Sequence, residues 1–98
     1  MIGEDVLGII RSMLQRKYDE YLVELEKLSP YEHSIQNTEL YISIFIGAVD
    51  DIFDDWYTDS EGDIYARIGE TCVIIFIEND VVHIDVLPCV NFMDGKQV

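Results

Sequence analysis

Between Asp50 and Asp63 the chain carries Asp50, Asp51, Asp54, Asp55, Asp59, Glu61 and Asp63, with no Lys or Arg among them. Carboxylates at this density can meet positive charge on a partner, hold a divalent cation through hard oxygen ligands, or supply an acid and a base for hydrolysis. Their abundance removes the value of any one pair as a sign of hydrolysis. For calcium, aligning Gly62 with the invariant glycine of an EF-hand loop puts Tyr57 at the first ligand position and Ile68 at the last, where carboxylates are required. No metal site and no cofactor are expected. The chain has no glycine-rich phosphate loop with its lysine, no dinucleotide fingerprint and no nucleophile elbow. His83 and Asp85 stand two apart in a strand pattern, and Cys72 could act as a nucleophile only if folding carried it to His83. The sequence reads as that of a protein that is not an enzyme.

The charge balance gives the acidic run its context. Over 98 residues there are 20 Asp and Glu against 6 Lys and Arg, a formal net charge of −14. Such a chain is repelled by phosphate backbones and anionic lipid surfaces and attracted to basic ones, an attraction that salt weakens. Direct nucleic-acid and membrane binding are therefore not expected. The imbalance is not uniform: residues 1–30 hold 6 acidic and 4 basic side chains, while residues 31–98 hold 14 acidic side chains with only Arg67 and Lys96. The first segment has the mixture of an ordinary solvated helix face.

The elements that must position these residues follow from hydrophobic period. Leu7, Ile10, Leu14, Tyr18, Tyr21, Leu22, Leu25 and Leu28 recur at three- and four-residue steps, which predicts an amphipathic first helix from Glu4 to Leu28. Ser29-Pro30 is expected to end it, and residues 31–37 to form a polar connection. Leu40 to Ile46 alternates well enough for a strand, but Phe45, Val49, Ile52, Phe53 and Trp56 fit a helical stripe. The longer pattern predicts a second helix over 38–57, capped by Asn37 or Thr38. After the turn residues 59–63 the period becomes two, predicting strands Ile64–Ile68, Thr71–Ile77 and Val81–Val86 in an antiparallel meander. Thr71–Ile77 is apolar on both faces and is expected at the centre, covered on each side. Val90 to Met93 could add a short element. The expected fold class is α+β, two N-terminal helices packed on a three-stranded antiparallel meander. It forms one domain over 1–98, with a helical part at 4–57, a meander at 63–87 and a tail at 94–98. Cys72 and Cys89 are too few and too far apart in sequence for a disulfide framework, and read as two free, buried thiols in a reducing cytoplasm. The acidic N-terminus lacks the marks of a secretory signal, and no apolar run approaches the ~20 residues of a membrane span.

On a helix over 38–57, Asp50 and Asp54 share a face, as do Asp51 and Asp55, about 6 Å apart along the axis. Each like-charge pair opposes the helix by roughly 0.2–0.5 kcal/mol, and aspartate is a poor interior helix former. One expectation is that these carboxylates stand in for phosphates and occupy a basic cleft, with Trp56, Tyr57 or Tyr65 as aromatic anchors. The partner-binding set is then Asp50, Asp51, Asp54, Asp55, Asp59, Glu61, Asp63, Trp56 and Tyr57. The alternative for the cluster is a solubilising face. In its size, its −14 balance and this acidic series, the chain resembles, at class level, the small acidic proteins of phages and mobile elements that inhibit defence enzymes, among them anti-CRISPR and DNA-mimic inhibitors. The resemblance implies a cytoplasmic inhibitor that binds a basic, nucleic-acid-binding protein such as a CRISPR nuclease and blocks its nucleic-acid site. Two other functions share the composition: an immunity protein against a cognate toxin, and an adaptor or homo-oligomer working through the apolar face of the first helix.

Overall fold

The computed structural model describes residues 2–29 and 36–92. It is an α+β fold in which two helices precede a four-stranded antiparallel sheet. Helix α1 is Glu4–Glu26, and its buried residues Ile10, Leu14, Tyr18 and Tyr21 lie on the stripe read from sequence. Its end tightens into i to i+3 bonds, with the Lys27 and Leu28 amides donating to the Glu24 and Leu25 carbonyls, so regular helix stops before Ser29-Pro30. Most of the 31–37 connection and the 94–98 tail lie outside the described residues.

Helix α2 occupies residues 36–52 and changes pitch along its length. Its middle, Tyr41–Ile46, is π-helical, and the Gly47 amide reaches back to the Ile42 carbonyl before an α-helical turn over Gly47–Ile52. The widened stretch coincides with Ile42, Ile44 and Ile46, β-branched side chains that crowd the preceding turn of an α-helix. Asn37 does not cap this helix from outside, since residue 36 is already helical; its side-chain oxygen instead accepts a hydrogen bond from the Tyr21 hydroxyl.

The predicted second helix was too long. The Phe53 amide makes the last helical bond, to the Val49 carbonyl, and Phe53 itself is extended, with φ −101° and ψ 151°. The Asp54 amide then donates to the Arg67 carbonyl at 2.8 Å, and Asp55–Thr58 forms strand β1. Ending the helix at Ile52 removes the Asp50/Asp54 and Asp51/Asp55 repulsions that a continuous helix would carry. It also places Trp56, Tyr57 and Thr58, all favoured in strands, in a strand. The meander therefore has four strands and not three: β1, β2 (Ile64–Ile68), β3 (Thr71–Glu78) and β4 (Val81–Leu87), in that spatial order. Gly69, at φ +59°, opens the two-residue β2–β3 turn. Asn79 and Asp80, at φ +52° and +62°, make the β3–β4 turn in the left-handed conformation that suits the strand twist.

One face of the sheet receives the helices. Ile64 and Ala66, Val73 and Ile75, and Val82 form a single buried cluster with Ile10, Leu14, Phe45, Val49 and Phe53. The two helices meet through rings: Tyr18 stands edge-on to Phe45 at 5.8 Å, Tyr21 edge-on to Tyr41 at 5.4 Å, and Tyr41 stacks on Phe45 at 5.4 Å. Helix α1 also closes the outer edge of β4, since Gln15 accepts from the Val82 amide at 2.8 Å and donates to the Asp80 carbonyl at 3.1 Å. Ile10, Leu14, Tyr18 and Tyr21 of the α1 stripe are thus buried in the core.

The cysteines correct a second expectation. Cys72 and Cys89 form a disulfide, with Cα atoms 5.2 Å apart. The β3–β4 register sets Cys72 opposite Leu87, and Pro88 turns the chain so that Cys89 folds back over that position. The 17-residue separation hid a proximity created by the hairpin. Residues Cys89–Asn91 form a single 3-10 turn.

Burial raises the Tyr18 phenol above its ordinary pKa of 10.0, and the hydrogen bond it donates to Asp80 adds to the effect; burial also raises Tyr21 and Tyr41. In each case the fold favours the protonated phenol. Stability from these groups is therefore intact below about pH 10 and falls as pH rises from there through the folded-state values. A spectrophotometric titration should show these tyrosines ionising late, with unfolding as they do. Titration of every tyrosine at the free value in a folded chain would contradict the packing.

Candidate functional site

Because β1 is an edge strand, Asp54, Asp55 and the acids of the 59–63 loop follow a sheet margin rather than a helix ridge, while Asp50 and Asp51 stay on the last turn of α2. From Asp54 to Asp59 the extended chain covers about 17 Å at ~3.3 Å per residue. Alternation sends Trp56 to the helix side with Ala66, and Asp55 and Tyr57 to the opposite face with Arg67 and Tyr65. Trp56 and Tyr57, grouped in the sequence as anchors, thus lie on opposite faces of the sheet.

The seven acids divide into four environments. Asp50, in the last turn of α2, accepts a hydrogen bond from Trp56 Nε1 at 2.8 Å. Asp51 lines a groove between α1 and α2 whose wall includes Arg16 and Lys17. Asp54 and Asp55 converge on Arg67: the guanidinium bonds Asp55 Oδ2 through both Nε and Nη2, and its Nη1 lies 3.7 Å from Asp54 Oδ2. Asp54 Oδ2 also accepts the Gly69 amide at 2.7 Å, and Arg67 Nη1 donates to the Gly69 carbonyl at 2.6 Å. The hydrogen bond to Asp55 raises the Arg67 pKa further, reinforced by attraction to Asp55 and then Asp54 and opposed by burial. Arg67 is thereby fixed as a cation.

The fourth environment is the β1–β2 loop. Asp59 Oδ1 accepts the Glu61 amide at 2.9 Å and the Asp63 amide at 3.0 Å, while its Oδ2 receives the Tyr65 hydroxyl at 3.3 Å. This is a side-chain-closed turn, completed by Gly62 at φ +88°. Burial and then Asp59 raise the Tyr65 phenol. One carboxylate oxygen of each of Asp59, Glu61 and Asp63 lies within 4.8 Å of the others. Asp59 is also engaged by its own turn.

The structure therefore joins Asp54 with Asp55 through Arg67, and Asp59 with Glu61 and Asp63 through a turn. It keeps Asp50 and Asp51 apart from both groups. Arg67 is the site residue that sequence reasoning passed over. Its signal was its isolation, since no other Lys or Arg occurs between Lys27 and Lys96. Cys72 has its sulfur in the disulfide, and the His83 imidazole stacks on Phe76 at 4.9 Å rather than pairing with Asp85.

No protein-family model matches this chain, and neither a curated protein nor a solved structure matches it.

The loop geometry separates structural acids from surface ones. Asp59→Ala leaves two backbone amides without their acceptor and should lower stability by roughly 1–2 kcal/mol in chemical denaturation. Glu61→Gln and Asp63→Asn, whose carboxylates make no hydrogen bond or ion pair among the described residues, should stay within about 0.5 kcal/mol. Equal effects at all three positions would refute this division.

Proposed function

We propose that this protein is an inhibitory binding protein that presents the β1 edge and the 59–63 loop to a basic cleft of a nucleic-acid-processing enzyme, such as a CRISPR nuclease. The observation that supports this reading is the charge left after internal pairing. Asp54, Asp55, Asp59, Glu61 and Asp63 lie at one short edge strand and in the loop that follows it, and among the described residues Arg67 pairs with the first two. Glu61 is exposed at the loop tip and Asp63 is half-buried, and neither carboxylate makes a hydrogen bond or ion pair among the described residues. Asp54 and Asp55 are oriented by Arg67, so the surface is held in place before a partner arrives, and less ordering entropy is lost on binding.

The class of partner follows from charge. A basic nucleic-acid cleft offers Arg and Lys side chains spaced for phosphates, and it releases condensed ions when carboxylates replace them. No helix among the described residues is long and apolar enough to cross a membrane. We place the encounter in the cytoplasm of the host cell, where such enzymes act. The solubilising role of acidic edge residues, which also keeps β1 from pairing with another sheet, is compatible with this use.

The test is a charge-only variant. Asp51→Asn, Glu61→Gln and Asp63→Asn together remove three negative charges without touching the Arg67 contacts or the Asp59 turn. Affinity capture from the source cell with the wild-type chain should yield a basic protein that salt releases and that nucleic acid displaces. The triple variant should capture it at least 10-fold more weakly, with a shallower salt dependence. Undiminished capture by a folded triple variant would overturn the proposal.

A further inference from the structure

Two buried residues outside the main core lie on the side of the sheet away from the helices. Cys72 is 1% exposed and Phe92 6% exposed, yet neither belongs to the main core cluster. Phe92 stands edge-on to Tyr57 at 5.2 Å, and Tyr57 stacks on Tyr65 at 5.1 Å. What brings Phe92 there is the chain that leaves β4 at Pro88, turns through Cys89–Asn91 and is bonded to β3 at Cys72. Besides this bond, the described residues hold the segment through the ring contact with Tyr57 and the approach of Cys89 Sγ to the Glu70 carbonyl at 3.2 Å. The helix-side core does not depend on it: Leu14, Phe45, Val49, Val73, Ile75 and Val82 pack together without any residue beyond β4.

We propose that the Cys72–Cys89 disulfide is a redox latch that holds residues 88–92 over the outer sheet face, and that a dithiol reductant opens it to uncover Tyr57, Tyr65 and Cys72 while the domain stays folded. The two sulfurs differ in access. Cys89 is half-buried and Cys72 fully buried, so an incoming thiolate attacks Cys89 Sγ. The Sγ–Sγ bond breaks, a mixed disulfide forms at Cys89, and Cys72 leaves as a thiolate that takes up a proton. The second thiol of the reductant, deprotonated, then attacks its own sulfur in the mixed disulfide and releases Cys89, which is protonated in turn. The net change is two electrons and two protons from the dithiol to the protein, with the reductant left as its disulfide. This device suits a chain working where the thiol pool is reducing, since disulfides there are redox-responsive rather than permanent. It stands whether or not the acidic edge meets a basic partner, because it rests on the packing of residues 88–92 alone.

Hydrogen exchange on the full chain, air-oxidised and then treated with a dithiol, tests the latch. Before treatment, thiol titration should find no free cysteine. After it, amide exchange in Cys89–Phe92 should quicken on the order of 100-fold, the scale expected for opening a loop of this length, and Cys72 should become open to alkylation. Exchange in α1, β2 and β3 should keep its protection, and Cys89→Ser should behave like the reduced chain without any reductant. Two free thiols at the outset, unchanged exchange at Cys89–Phe92 after reduction, or loss of protection throughout α1 and the sheet would each overturn the proposal.

Discussion

The arrangement of this molecule depends on the change from helix to strand between Ile52 and Asp55, and on the guanidinium that receives the chain after it. A helix continued through Tyr57 would stack aspartates four residues apart near its negative end, where each added carboxylate is opposed by its neighbour and by the helix dipole. The extended conformation at Phe53 relieves both effects. It delivers Asp54 and Asp55 to Arg67, and the Arg67 contacts with the Gly69 carbonyl tie this corner to the β2–β3 turn. One cation thus orients two acids and ties the edge strand to the turn beside it.

That edge strand gives the sheet its two unequal sides. The helix side carries the main core, with α1 also supplying Gln15 to the free edge of β4. The other side carries Tyr57, Tyr65, Ile74, Phe76 and His83, covered in part by the turn that the disulfide fastens. The two sheet margins are protected by different means. A helix side chain bonds one, whereas negative charge and short length guard the other.

Much of the architecture was legible in the residues. The three-and-four spacing from Leu7 to Leu25 located α1 because burial of one face leaves a periodic mark. Gly69-Glu70 and Glu78-Asn79-Asp80 located the last two hairpins because connections this short join antiparallel neighbours, although Glu78 itself belongs to β3. The end of α2 was not legible, since Val49, Ile52, Phe53 and Trp56 satisfy a helical stripe and are buried or half-buried all the same, the last two from outside the helix. The strain noted in the paired aspartates was the clue to the break. The disulfide was illegible to spacing alone because it follows from strand register, although counting back from the β3–β4 turn places residue 87 opposite Cys72. The acidic run was legible as composition and not as placement: the nine residues named from sequence lie on the end of α2, on both faces of an edge strand and in a loop.

The most direct test of this account is the backbone conformation of residues 53–58 in solution by nuclear magnetic resonance. The account predicts helical chemical shifts that end at Ile52, strand shifts over Asp55–Thr58, and cross-strand contacts pairing Asp55 with Arg67 and Tyr57 with Tyr65. Helical shifts running unbroken through Tyr57, with contacts between Asp50 and Asp54 in place of those to β2, would contradict it.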